Sequence, residues 1–134
     1  MSATLVDSNV LIDIATESSS WQAWSTQALA RRLDAGPLVI NPIVFAEISM
    51  GYADIETLEL ALPRDIYRRE DLPWEAAFLA GKCFIAYRRG GGTRRSPLPD
   101  FYIGAHAAIR DYHLLTRDQG RYRRYFPKLK IISP

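Results

Sequence analysis

The chain has 134 residues, 48% of them hydrophobic, a formal net charge of +2 and one cysteine. That length and apolar content suit one domain with a core that needs no disulfides. Lone Cys83 excludes a disulfide framework or a cysteine zinc site, and no apolar run approaches the ~20 residues of a membrane span. The opening MSATLVDSNVLID carries Asp7 and no basic segment, so no signal peptide and a cytoplasmic location are expected.

In chain order, the first apolar strand is expected at Thr4–Val6, with a helix starting near Ser8. Trp21, Trp24, Ala28 and Leu29 recur at helical spacing and predict a helix over Trp21–Leu33, stopped by Gly36-Pro37. A strand at Leu38–Ile40 precedes helices at Ile43–Met50 and Ile55–Leu62, the latter ended by Pro63. A third strand is expected at about Ile66–Tyr67. Pro73 opens a long helix through Tyr87, closed by the Gly90–Gly92 run, and Pro99-Asp100 opens another to about Tyr112. Strands at Leu114–Leu115 and Leu129–Ile132 complete the pattern. Alternation of short buried-type strands with helices predicts an α/β fold, one domain over 1–134 with a mostly parallel sheet of about five strands.

Charge divides unevenly along this pattern. Residues 1–81 carry 5 Lys/Arg against 12 Asp/Glu, and residues 82–134 carry 12 against 3. Such asymmetry points to a polyanionic partner, unless folding mixes the two halves into an evenly solvated surface.

Four acids sit at strand–helix junctions or within apolar helix: Asp7, Glu47, Asp100 and Asp118. Ligands of parallel sheets gather beyond the carboxyl ends of the strands, where all four are expected to meet. Singly, Asp7, Asp100 and Asp118 also suit helix capping. Glu47 does not, because a lone carboxylate inside an apolar helix is costly. Clustered carboxylates need a cation, and hard oxygen donors favour Mg²⁺ or Mn²⁺, whether one ion or two.

The ordered set Asp7-Ser8-Asn9, Glu47, Pro99-Asp100 and Thr116-Arg117-Asp118 resembles a PIN domain. More narrowly it resembles the VapC-type ribonuclease toxins of type II toxin–antitoxin pairs, along the whole chain. The resemblance implies a PIN-like three-layer sandwich and a metal-dependent endoribonuclease that inhibits translation or growth. It implies metal-holding roles for Asp7, Asp100 and Asp118, and a catalytic role for Glu47 in positioning or activating the attacking water. Asn9 and Thr116 match polar positions that bond the acids or the scissile phosphate. It also implies an RNA substrate, a homodimer and a cognate VapB-type antitoxin that blocks the acids with a basic side chain. Many relatives have another acid shortly after the position of Asp118. Here Gln119, Gly120 and Arg121 follow. That departure bears on a second ion, not on the first.

The run Arg117, Arg121, Arg123, Arg124 beside Asp118 suits phosphate binding, and its tyrosines suit either base stacking or inward packing. Arg88, Arg89, Arg94 and Arg95 flank the glycine run and form a candidate RNA clamp. His106 and His113 lack ligand spacing and read as structural or surface residues. Cys83 reads as a small core hydrophobe. Trp21 and Trp24 share a helix face that suits the core or an antitoxin groove. Three other readings compete. A receiver domain needs paired acids and a late-strand lysine that are not apparent. A haloacid-dehalogenase phosphatase needs an Asp-x-Asp that Asn9 breaks. The third is a catalytically silent PIN-fold module that binds RNA or protein.

Overall fold

The structure, a computed structural model, describes residues 2–134. Its strands are β1 (Thr4–Val6), β2 (Leu38–Ile40), β3 (Tyr67–Arg69), β4 (His113–Leu115) and β5 (Ile131–Ile132). The helices are α1 (Ser8–Ala15), α2 (Gln22–Ala35), α3 (Pro42–Ser49), α4 (Ile55–Ala61), α5 (Trp74–Arg89), α6 (Pro99–Arg110) and α7 (Gly120–Tyr125). The strands form one parallel sheet in the order β3-β2-β1-β4-β5. In the centre, Leu5 pairs with Val39 on one side and Leu114 on the other. All three are fully buried, so the strands are apolar on both faces and need helices above and below.

The order records a change of direction. From β1 the chain winds outward through β2 to β3, then returns to place β4 on the other side of β1. Right-handed crossovers therefore send the paired helices α5 and α6 to the face opposite the helices of the first half. The three-layer expectation is met. The crevice at such a reversal lies between the carboxyl ends of β1 and β4, and neither strand fills it.

Helix starts follow local chemistry. Asn41 caps α3 by accepting from Val44 N at 3.0 Å, with Pro42 in the first turn, and Asp54 caps α4 by accepting from Thr57 N at 2.8 Å. With its oxygen committed to the cap, the Asn41 amide nitrogen faces His106 Nδ1 at 3.0 Å. His106 Nε2 meets Glu70 Oε1 at 3.2 Å. This fully buried histidine thus ties α6 to the ends of β2 and β3, and burial holds its pKa below the usual value. It is structural, as expected. Cys83 is buried on α5, where desolvation pushes its thiol pKa up.

Boundaries moved where charge or backbone overrode the apolar pattern. β3 includes Arg68 and Arg69, charged residues tolerated because β3 is an edge strand. Arg69 makes a bidentate contact with Glu59 at 3.0 and 2.8 Å, and Arg68 reaches Glu70 at 3.1 Å. β5 is shorter than Leu129–Ile132 because Leu129 N closes a turn onto Phe126 O. α6 stops at Arg110, where Asp111 takes the left-handed conformation with φ 57°. Among the described residues no helix is long and apolar enough to cross a membrane.

One close approach sets where α7 lies. A Cβ on Gly104 of α6 would stand 2.4 Å from the Phe126 ring, which follows α7. Gly104→Ala is therefore expected to lower stability by about 1–3 kcal/mol through overpacking. Urea unfolding checks this, and an unchanged midpoint would show that Phe126 moves freely.

Candidate active site

Asp7 ends β1 and occupies the crevice between β1 and β4. As the N-cap of α1 it accepts from Ser8 N at 2.8 Å through Oδ1. Oδ2 accepts from Thr116 Oγ1 at 2.8 Å and from the Tyr122 hydroxyl at 2.9 Å. One oxygen of Asp7 thus caps the helix, as that expectation had it, and the other faces two hydroxyl donors. Asp7 is 4% exposed, and among the described residues no cationic side chain pairs with it. Burial raises its pKa to about 6, against the lowering effect of the Thr116 and Tyr122 hydrogen bonds and with smaller upward pushes from Asp100 and Glu47.

Glu47 approaches from α3. Its Oε1 accepts from Ser8 Oγ at 2.9 Å, and partial burial followed by repulsion from Asp100 raises its pKa. Asp100 stands in the first turn of α6 and caps nothing, since Leu98 is the N-cap. Its Oδ1 lies 3.3 Å from the Tyr122 hydroxyl, and its Oδ2 accepts from Arg121 Nη1 at 3.1 Å. Three of the four expected acids are thus close enough to repel one another.

Asp118 is held differently. It is exposed on the turn before α7, with Oδ1 accepting from Gly120 N at 3.2 Å. Its link to the site runs through its backbone N–H, which donates to Thr116 Oγ1 at 3.2 Å. Asn9 braces the same turn: Nδ2 reaches Thr116 Oγ1 at 3.2 Å, and Oδ1 accepts from Arg117 N at 3.1 Å. Among the described residues, no three His, Cys, Asp or Glu side chains converge tightly enough to grip a metal ion as they stand. The chemistry of the donors still suits one. All are oxygens, and Asp7 is a buried carboxyl without a counter-charge, the setting for a hard divalent cation that keeps most of its waters.

The arginines divide by partner. Arg121 pairs with Asp100, so the stretch where many relatives carry another acid here supplies a cation. The Arg117 guanidinium turns away from the acids, with Nε 2.8 Å from Asp13 Oδ2 and its plane over Trp21. Asp13 also accepts from Ser25 Oγ at 2.9 Å and Ser19 Oγ at 3.2 Å. This buried carboxylate fastens α1, α2 and the β4–α7 turn together. The reasoning that singles out Glu47 applies equally to Asp13, a carboxylate between Ile12 and Ile14, and sequence reading passed over it.

Tyr122 was also missed. It is 1% exposed, so it cannot stack on a base, and Tyr125 is packed edge-on against Phe101 at 5.0 Å. The Tyr122 phenol is pushed well above its usual pKa by burial and then by the Asp7 and Asp100 charges, so it remains a donor. Its single proton serves two acids. The only sequence signal was its place at the apolar spacing of Tyr122, Tyr125 and Phe126.

The raised pKa of Asp7 has a defined sign. Between pH 3.8 and about 6 the metal-free folded protein keeps a proton that the unfolded chain releases, so stability falls as pH rises through that window. In EDTA, the Asp7 contribution is expected to fall by about 1 kcal/mol between pH 5 and pH 7.5. Urea unfolding of the wild type beside Asp7→Asn isolates it, and an identical pH response in both proteins would refute the assignment.

A PIN domain family model matches residues 4–127. No curated protein sequence matches the chain. VapBC2 from Rickettsia felis, solved bound to a DNA fragment from its promoter, is similar in structure with a TM-score of 0.75 at 17% identity, covering 98% of each chain. VapBC-1 from nontypeable Haemophilus influenzae gives 0.73 at 16% identity, covering 98% of this chain and 97% of that one. A toxin–antitoxin complex from Klebsiella pneumoniae gives 0.66 at 22% identity, with 96% and 95% covered. With a model matching most of its length and an acidic crevice at the winding reversal, this chain belongs to the PIN domain family.

Proposed function

We propose that this protein is a VapC-type toxin, an endoribonuclease that hydrolyses RNA phosphodiester bonds with Mg²⁺ or Mn²⁺ and limits translation or growth. The observation that carries this reading is Asp7, a buried carboxyl without a cationic partner, facing Glu47 and Asp100 at the sheet's winding reversal. The likeness to solved VapBC complexes over nearly the whole chain supports it.

Asp7 and Asp100 would hold the ion, with Asp118 reaching in from its turn. A divalent ion held there would supply charge neutralisation and Lewis acidity toward the phosphate whose phosphorus is attacked. Glu47 suits the part of general base. Ser8 holds one of its oxygens, and its raised pKa favours taking a proton from the attacking water. As the new P–O bond forms, the bond to the departing ribose oxygen breaks, and that oxygen takes a proton from solvent. Thr116 and Asn9 keep Asp7 and the Asp118 turn in register. Tyr122 donates between Asp7 and Asp100 and sets their separation. Arg121, exposed beside Asp100, is placed to exchange that carboxylate for a phosphate.

A groove between α1 and α3 is lined by Leu11, Ile12, Ile48, Met50 and Tyr52 together with Glu47. It suits an apolar helix of a cognate VapB-type antitoxin whose basic residue reaches the acids. The exposed apolar residues Trp74 and Phe78 on α5 suit a homodimer contact.

Antitoxin-free protein is expected to cut cellular RNA into discrete fragments with Mg²⁺ or Mn²⁺. EDTA should stop cleavage and Asp7→Asn should abolish it. Thr116→Val, which removes only the orienting hydroxyl, should lower the rate by about 10–100-fold. Cleavage indifferent to metal would refute the mechanism. A folded, inhibitor-free wild type that binds RNA without cutting it would favour the catalytically silent module.

A further inference from the structure

Six exposed arginines, Arg88, Arg89, Arg94, Arg95, Arg123 and Arg124, have no carboxylate partner among the described residues. Several of them gather where the end of α5, the segment 90–97 and α7 meet. That segment is built against the helix. Arg88 Nη1 donates to Arg94 O at 2.6 Å, and Gly92 N donates to Tyr87 O at 2.9 Å. Gly92 lies so close on the Tyr87 ring that a Cβ there would stand 2.2 Å from it, and Tyr87 in turn stacks on Phe84. The result is an open cleft lined by Phe84, Arg88, Gly92, Thr93 and Arg95. The last carbonyls of α5, which would repel an anion, are capped by the N–H groups of Gly90, Gly91 and Gly92.

α7 joins this cleft to the acids. Arg121 reaches Asp100 at 3.1 Å. Arg124, three residues on and so on the same helical face, lies 3.4 Å from where a Cβ on Gly90 would be. Guanidinium groups therefore run from the acidic crevice over α7 to the end of α5, whose Arg88 lines the cleft. Like charges held together without carboxylate partners repel, and a bound polyanion would relieve that repulsion. Nearby Tyr122 is buried and offers no ring to a base, while half-buried Tyr125 packs edge-on against Phe101 and carries the Arg124 guanidinium over its ring at 5.4 Å.

We infer that this row of arginines is the path along which one strand of RNA leaves the acidic crevice, with Arg88, Arg95 and Arg124 holding backbone phosphates beyond the bond that is cut. The path rests on the nuclease reading of the crevice. It reads charge and spacing rather than bases, so it binds alike across sequences.

The test is fluorescence anisotropy of a fluorescein-labelled single-stranded RNA of mixed sequence in EDTA, across a salt series. The intact protein is compared with Arg88→Gln/Arg95→Gln, with Arg124→Gln and with Lys128→Gln as a distant control. Each removed arginine should make the salt dependence shallower by about 0.7, and the double variant should bind roughly tenfold more weakly. The control and the urea midpoints should not change. Unaltered affinity and slope in the arginine variants would overturn the path, and cleavage by the same wild type with Mg²⁺ would then leave the nuclease reading standing. Wild type that binds through these arginines yet never cuts would keep the path as an RNA surface and count against the nuclease reading alone. Polyglutamate that displaces the RNA at equal charge, through the same arginines, would assign the row to an acidic protein segment instead.

Discussion

A carboxyl group that is 4% exposed and paired with no cation among the described residues is the constraint around which this molecule is arranged. Asp7 is tolerable there because hydroxyl and backbone donors surround it: Ser8 N, Thr116 Oγ1 and the Tyr122 phenol. Ser8 is its neighbour in the chain, but Thr116 at the end of β4 and Tyr122 on α7 lie 109 and 115 residues away. Each must be delivered within hydrogen-bond distance, so the packing of the sheet and helices serves the electrostatics of one side chain. Its pKa of about 6 shows that the donors reduce the cost of burial without removing it.

The winding reversal is what makes such delivery possible. β1 and β4 are neighbours in the sheet but more than a hundred residues apart in sequence, and the chain diverges from them in opposite directions. The crevice between their carboxyl ends is therefore open to α3 on one side and α6 on the other, which bring Glu47 and Asp100 to Asp7. Asn9 and Thr116 then lock the turn after β4 to the start of α1. Arg117 and buried Asp13 fix the same junction from behind, with Ser19 and Ser25 completing the Asp13 carboxylate's bonds. A polar shell around the acids and a second one behind them hold a crevice that would otherwise spread under its own repulsion.

Charge is sorted spatially as well as along the chain. Asp7, Glu47 and Asp100 face the crevice, and arginines of the second half with no carboxylate partner among the described residues lie along α7 and the end of α5. Arg121 stands at the border between the two zones and pairs with Asp100. Other cations of that half have carboxylate partners: Arg117 is committed to buried Asp13, and Lys130 pairs with Asp111 at the surface. The asymmetry visible in composition is thus partly an internal ion-pair requirement and partly a surface field.

Periodicity and punctuation were enough to place most of the elements. The apolar triplets Thr4–Val6 and Leu38–Ile40 are strands because they can be buried on both faces, and Pro63, Pro73 and Pro99 mark helix limits because they lack a donor. The sequence by itself also singled out Asp7 and Glu47, since a carboxylate amid apolar residues demands a reason wherever the chain folds. It did not reveal β3 in full, because Arg68 and Arg69 are acceptable only on an edge, and edge position belongs to the sheet. Nor did it show that Asp118 stays exposed, that the Arg117 side chain leaves the site, or that Tyr122 enters it. Those outcomes depend on where α7 lies against α6, which the Gly104–Phe126 contact decides. Local pattern determines which residues must be buried. Only tertiary packing decides which donors meet a buried charge, because those donors are brought together from distant parts of the chain.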